Sequence, residues 1–215
     1  MWRSVLVAML LAVPGSAAVA DCDPNDPVTG LPDLSYSFVV WSAALGGSAT
    51  LLVVPDGTGA AFGGARRPGG AVVDATIELT IGGPCGVIAH FPREDIWLEV
   101  LGGGFVACAG GTIADADTDV NGVTHWSQPL RAGGHSQGPC TIVIMGAPVP
   151  GMPALDLHFN SPDLNGDRVV SLADVPLFAA AFNGAYAFAA DLHADGAVDL
   201  SDIPMLARSL GAVCP

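Results

Sequence analysis

Lysine is absent from this 215-residue chain, and all seven of its cations are arginine. Against 21 acidic residues they leave a formal charge of −14. Nucleic acids and anionic membrane surfaces select basic patches, so neither is an expected partner. Glutamate is scarce as well, occurring only as Glu78, Glu94 and Glu99. A glycosidase needs two carboxyl groups facing one bond. Glu94 and Asp95 are neighbours that would point to opposite faces of a strand, and with Glu99 they read better as flanks of a strand beginning near Ile96. No run beyond the first twenty residues has the ~18 apolar residues needed to cross a bilayer. The five cysteines (Cys22, Cys85, Cys108, Cys140, Cys214) contain no C-x-x-C pair, which excludes zinc-ribbon and thioredoxin-like readings.

The chain opens with an address. Arg3 supplies a positive n-region, Val5 to Val13 an apolar stretch and Ala18-Val19-Ala20 a small-residue cleavage site, the pattern of a bacterial-type signal peptide cut near Ala20. Asp21 before Cys22 is wrong for a lipobox. The mature chain is therefore expected to be secreted or associated with the cell surface, with no membrane span. Widely spaced cysteines in an exported chain read as disulfides. Cys108 and Cys140, in or beside strands of one domain, are the expected pair, and an odd count leaves one thiol free or bridging to another chain.

After a lead segment, 21–33, residues 34–160 are short strands punctuated by Gly, Pro and Asp, with no helical period of useful length. Val73, Ala75, Ile77, Leu79 and Ile81 alternate with polar residues, so one face is buried and one wet. Leu34, Tyr36, Phe38 and Val40 alternate likewise, as do Leu155, Leu157 and Phe159. Further strands are expected at 50–54, 96–101, 105–109, 122–126 and 141–145, and Asn121-Gly122 is a strong hairpin-turn dipeptide. Seven or eight such strands imply a mostly β fold, an antiparallel sandwich. The stretch Ala114-Asp-Ala-Asp-Thr-Asp119-Val-Asn121-Gly122-Val123-Thr-His-Trp126 resembles the strand–turn–strand signature of bacterial immunoglobulin-like domains of the invasin type. That resemblance implies adhesion, spacing or carbohydrate contact, without catalysis.

Residues 161–215 carry an acidic loop twice, 28 residues apart. Copy one has Asp163, Asn165, Asp167, Ser171 and Asp174 at loop positions 1, 3, 5, 9 and 12. Copy two has Asp191, His193, Asp195, Asp199 and Asp202. One short loop wraps a hard cation with oxygen donors at that spacing, so the implied ligand is Ca2+. Apolar positions repeat too: Val170 with Val198, Leu172 with Leu200, Phe178 with Leu206, and Pro176 with Pro204.

The pair resembles type I dockerin repeats, each a calcium loop followed by a helix. The resemblance implies that the carbonyls of Val169 and Ala197 at position 7 complete each shell. It also implies that Val170 and Val198 pack together, that 172–182 and 200–210 are helices, and that the module docks to a cohesin-like protein domain. Copy one lacks the glycine wanted at position 6, so Arg168 takes that turn, costing about 1–2 kcal/mol if its φ is positive. Copy two puts His193, a poor partner for calcium, at position 3. Positions 10 and 11, the partner-facing pair in dockerins, are Leu172-Ala173 and Leu200-Ser201 rather than small hydroxyl residues.

Three other signals carry less. Gly134-His135-Ser136-Gln137-Gly138 matches a nucleophile elbow but lacks the strand–helix context such an elbow needs. Asp115, Asp117, Asp119 and Asn121 imitate a calcium loop whose twelfth position is Trp126. Trp41, Trp97 and Trp126 read as core before sugar platforms. The expected protein is a non-enzymatic, secreted modular one. Its rival is a dockerin-bearing polysaccharide-degrading enzyme of the glycoside hydrolase type, polysaccharide or a cell-surface ligand being the expected target in either case.

Overall fold

The computed structural model describes residues 32–149 and 154–215. The expected leader, Cys22 and nearly all of the lead segment lie outside them. The described chain is mostly β, followed by two short helices. Seven strands of four or five residues form the body: β1 Phe38–Trp41, β2 Ala49–Leu52, β3 Ile77–Thr80, β4 Ile96–Val100, β5 Val123–Trp126, β6 Cys140–Ile144 and β7 Leu157–Asn160. The other described strands are two-residue pairs, among them Ala65–Arg66, Val72–Val73 and Ala132–Gly133.

The strands assemble into several small sheets rather than long ladders. β3 lies between β1 and β5, with Ile77 opposite Trp41 on one side and Trp126 on the other. β4 and β6 pair from Ile96–Ile144 to Val100–Cys140. Among the described residues every named strand pairing is antiparallel except one. β7 runs parallel to β2, Phe159 lying beside Leu51, a geometry that needs a long crossover and has nearly the whole body as one.

Ala75, Ile77, Leu79 and Ile81 are all fully buried, as their alternation requires. They share a core with Trp126, Phe62, Leu51, Ile142, Leu157 and Phe159. Each such large apolar side chain contributes about 1.5–3 kcal/mol on burial. Trp126 loses no polar group in the process, because its indole N–H donates to the Thr112 carbonyl at 3.0 Å.

At the N-terminal edge Leu34 packs against the core as expected, but from Tyr36 onward the alternation runs in the opposite phase. Asp33 caps a 3₁₀ turn over Leu34–Tyr36 by accepting the Ser35 N–H, and the strand starts only at Phe38. Val39 and Trp41 consequently pack against the core, while Tyr36, Phe38 and Val40 are exposed. A one-residue shift moves every side chain to the other face, and the local turn decides it.

β7 passes through Ser161-Pro162 directly into the duplicated region. Helix α1 is Asp174–Phe182 and helix α2 is Ile203–Ser209, each beginning two or three residues later than its expected start. Pro176 and Pro204 fall within the first turns, where a missing N–H costs nothing. Neither helix is long and apolar enough to cross a membrane.

A second apolar cluster joins Val170, Phe178, Ala190, Leu192, Leu206 and Ala212 to Val54 of the body, with Leu52 and Val198 half-buried beside it. The helical region therefore completes its core on the body. Val170 and Val198 share this cluster, but the backbone partner of Val170 is the tail beyond α2: its N–H donates to the Ala212 carbonyl, and its carbonyl accepts from Gly211.

The expected Cys108–Cys140 disulfide is not formed. Cys108 pairs with Cys214 across a separation of 106 residues, with their Cα atoms 5.6 Å apart. Pairing of the tail with loop one carries Cys214 to the body, whereas Cys140 faces the core of β6 as a buried free thiol. Burial pushes that thiol up to about 12. Cys85 is also disulfide-bonded.

Candidate metal centre

Each acidic loop is closed by two buried carboxylates, one from its first position and one from its twelfth. In loop one, Asp163 Oδ1 accepts the N–H groups of Gly166 and Asp167 at 2.9 and 3.2 Å, and Oδ2 accepts that of Arg168 at 2.8 Å. Asp174, at the start of α1, takes Leu164 at 2.8 Å and Asn165 at 3.2 Å on Oδ1, and Ser171 at 2.8 Å on Oδ2. Loop two repeats the scheme. Asp191 accepts the N–H groups of Asp195 at 3.1 Å and Gly196 at 2.9 Å. Asp202 accepts those of His193 and Asp199, both at 2.8 Å. Four of these donors correspond one for one at the 28-residue shift.

The remaining positions follow the same logic. Asp167 and Asp195 accept the N–H groups of Val169 and Ala197, and Ser171 and Asp199 accept those of Ala173 and Ser201. Asn165 bridges to Asp167 through its side-chain amide at 2.8 Å. At the equivalent place His193 Nδ1 lies 3.0 Å from Asp195 Oδ2, to which Ser201 Oγ also donates at 3.3 Å. The residue opposite the tail in loop one is Val169, bridged to Val213 by bonds that Arg168 and Val170 make on either side. That narrow bridge leaves the Val169 carbonyl unused by the pairing.

The turns demand left-handed backbone twice per loop. Positions 4 and 6 have φ of 70° at Gly166 and 71° at Arg168 in loop one, and 53° at Ala194 and 91° at Gly196 in loop two. Each copy thus holds one glycine and one side-chain residue in that conformation, in opposite order. Arg168 follows expectation. Ala194 was not foreseen, although a non-glycine at position 4 is readable once both positions are known to turn.

Charge is poorly balanced here. Asp163, Asp174, Asp191 and Asp202 are at most 1% exposed. Burial raises the pKa of Asp163 and of Asp202, against the pull of their backbone N–H donors, and the neighbouring carboxylates Asp174 and Asp191 push in the same direction. Exposed Asp199 is instead lowered by the Ser201 N–H. Tyr186 donates to Asp191 Oδ2 at 3.0 Å, and burial with that bond holds its phenol at about 12. Among the described residues the one arginine–carboxylate pair is Arg93–Glu94, and the other close contacts to carboxylates come from histidines (His125–Glu78, His158–Asp156, His193–Asp195), so no arginine partners a loop acid.

Among the described residues, no three His, Cys, Asp or Glu side chains stand as a ready-made metal cage. The loop carboxylates are turned toward their own backbone N–H groups instead. The donor chemistry nevertheless fits a hard cation in loop one, where Asp163, Asn165, Asp167, Ser171 and Asp174 supply oxygen alone and the Val169 carbonyl is unspent. In loop two Asp191, Asp195, Asp199, Asp202 and the Ala197 carbonyl fit, and the His193 imidazole does not.

Both loops rest on glycines of the body, a feature the sequence reading passed over. Gly134 N–H donates to the Asp163 carbonyl at 2.9 Å, and a Cβ on Gly133 would lie 1.8 Å from Asp163 Oδ2. Gly70 N–H donates to the Ala194 carbonyl at 3.0 Å. The buried Asn160 amide donates to the Asp191 carbonyl. Adjacent glycines at 133–134 and 69–70 were the available signal of close backbone approach.

The other sequence signals resolve as structure. Ser136 is fully buried and donates to the Gly102 carbonyl at 2.8 Å. It bridges Phe159 on β7, so it shares the face of Phe159 and lies on the opposite side of the strand from the His158–Asp156 pair. Asp115, Asp117 and Asp119 each accept backbone N–H groups, from Ser127, Arg93 and both Asn121 and Val123 respectively. They shape the turn into β5. Trp126 is core, and Trp41 packs partly buried against it.

The chain matches no protein-family model, no curated protein and no solved structure.

Proposed function

We propose that the duplicated loops bind calcium and that the chain is a secreted or cell-surface, non-catalytic modular protein. The observation carrying this reading is the pair of buried carboxylates in each loop, held by the same N–H donors at a 28-residue shift and lacking an arginine partner. Burying like charges together is costly unless a cation offsets them. Asp163, Asn165, Asp167, Val169, Ser171 and Asp174 would hold one ion. Asp191, Asp195, Ala197, Asp199 and Asp202 would hold a second, with His193 a weak or absent ligand. Bound calcium supplies the positive charge that lets each loop close over the shared apolar cluster.

The body is read as an immunoglobulin-like sandwich serving adhesion, spacing or carbohydrate contact, on its β-rich build and the Asp119 turn. The helical region is read as a dockerin-like docking module. Leu172 and Leu200, at the tenth position of each loop, are 77% and 73% exposed. Two equivalent apolar side chains held outward suit contact with a protein domain of cohesin type.

Calcium titration of the chelator-stripped chain by calorimetry tests the metal. Two binding events are expected, with Asp163→Ala and Asp191→Ala each abolishing a different one. No heat, and no gain in helical circular dichroism, sinks the reading.

A further inference from the structure

A cleft of about 490 Å³ lies between the body and the second loop–helix unit. Its volume falls within the range of about 300–1,000 Å³ usual for small-molecule sites. β2 with its neighbour Ala65–Arg66 and the turn after it forms one wall, and loop two with α2 forms the other, so neither region makes the site alone.

Its lining has a definite chemistry. Arg66 and Arg208 both line it, two of only seven cations in a chain of charge −14. Each spends one donor on a backbone carbonyl, Arg66 on Gly70 and Arg208 on Pro204, which fixes the stem and leaves the remaining guanidinium donors uncommitted to those bonds. The one lining acid, Asp56, is occupied at Oδ1 by the Thr58 N–H and hydroxyl. Among the lining side chains themselves two guanidinium groups thus stand against one carboxylate, on a strongly negative molecule. Thr50 and Ser209 add hydroxyl oxygens, that of Ser209 donating to the Met205 carbonyl, and Asn160, whose amide donates to Asp191, adds its Oδ1, a buried acceptor without a partner. Leu192 and Met205 add apolar surface on the opposing wall.

We infer that this cleft binds an acidic sugar. The two guanidinium groups take the anionic group in charge-assisted hydrogen bonds. Thr50, Ser209 and Asn160 read the ring hydroxyls, and Leu192 with Met205 covers the C–H face of the ring. The assignment goes beyond the calcium reading and rests on the cleft lining, not on a metal in either loop.

Calorimetric titration of the whole chain in calcium-containing buffer with galacturonate, galactose 6-sulfate and galactose tests it, the first two distinguishing a carboxylate from a sulfate ester. At least one acidic sugar is expected to bind about tenfold or more tighter than galactose. Arg66→Gln and Arg208→Gln, both on solvent-accessible side chains, should each weaken that binding about tenfold. Asp56→Asn should strengthen it, a gain that misfolding cannot produce. Equal affinity for galactose, no binding of either acidic sugar, or affinities unmoved by all three substitutions would overturn the assignment.

Discussion

Loop one and loop two are the same device built with different compromises. Both close on buried aspartates at positions 1 and 12, and both need left-handed backbone at positions 4 and 6. Loop one places glycine at position 4 and strains Arg168, while loop two places glycine at position 6 and strains Ala194. Loop one has an all-oxygen donor set and loop two has four acids with an intruding imidazole. Their surroundings differ as well. Body glycines seat both loops, Gly134 under loop one and Gly70 under loop two, but the C-terminal tail and the Cys108–Cys214 disulfide brace loop one besides, and Asn160 holds loop two. Repetition of the acidic positions brings only part of the support with it.

Removing the disulfide is the harshest way to break the comparison. Cys214→Ser frees a crosslink spanning 106 residues, a loop length for which about 3–5 kcal/mol of unfolding stability is expected to go. Chemical denaturation measures the loss. Calcium affinity of loop one should fall more than that of loop two, because the tail pairs with Arg168 and Val170.

Gly133→Ala comes next. The new Cβ would meet the carboxylate of a buried aspartate that already holds three N–H groups, so about 2–3 kcal/mol of destabilisation is expected. Calorimetry should show the loop-one event weakened and the loop-two event retained. A smaller change, His193→Asn, gives loop two the donor that loop one has. Its calcium affinity should rise about tenfold, and no gain there would mean that the imidazole is not what limits the loop.

The mildest test addresses the backbone. Arg168→Gly and Ala194→Gly each remove a left-handed side-chain residue, and each should stabilise its own calcium-loaded loop by about 1 kcal/mol, read as a rise in melting temperature. Equal gains would show that the two compromises are equivalent despite their different positions.

Periodic features were the readable ones. Ala75 to Ile81 and Leu155 to Phe159 alternate because one face meets a core, and the structure buries those faces. The acidic repeat was legible because acidic spacing and apolar spacing recur together. Leu34 to Val40 alternates as cleanly, yet its phase is set by the Asp33-capped turn before it, a contact that alternation does not encode. Of the four cysteines within the described residues, Cys108 found Cys214 rather than Cys140 because tail pairing with loop one, invisible as a pattern, brings Cys214 within bonding reach. The Gly133 and Gly70 seats were likewise hidden, since a glycine announces freedom without naming the neighbour that uses it.

By itself, the sequence determined the β-rich character of the body, the phase of its strongest strands and the internal twofold repeat of the acidic loops. Those properties follow from side-chain alternation and spacing within short segments, where local chemistry suffices. Only the tertiary structure decided which cysteines pair, which loop the tail braces, and that Arg66 and Arg208 line one cleft. Each of these depends on segments far apart in the chain meeting, and burial in a shared core, rather than any local preference, sets where they meet.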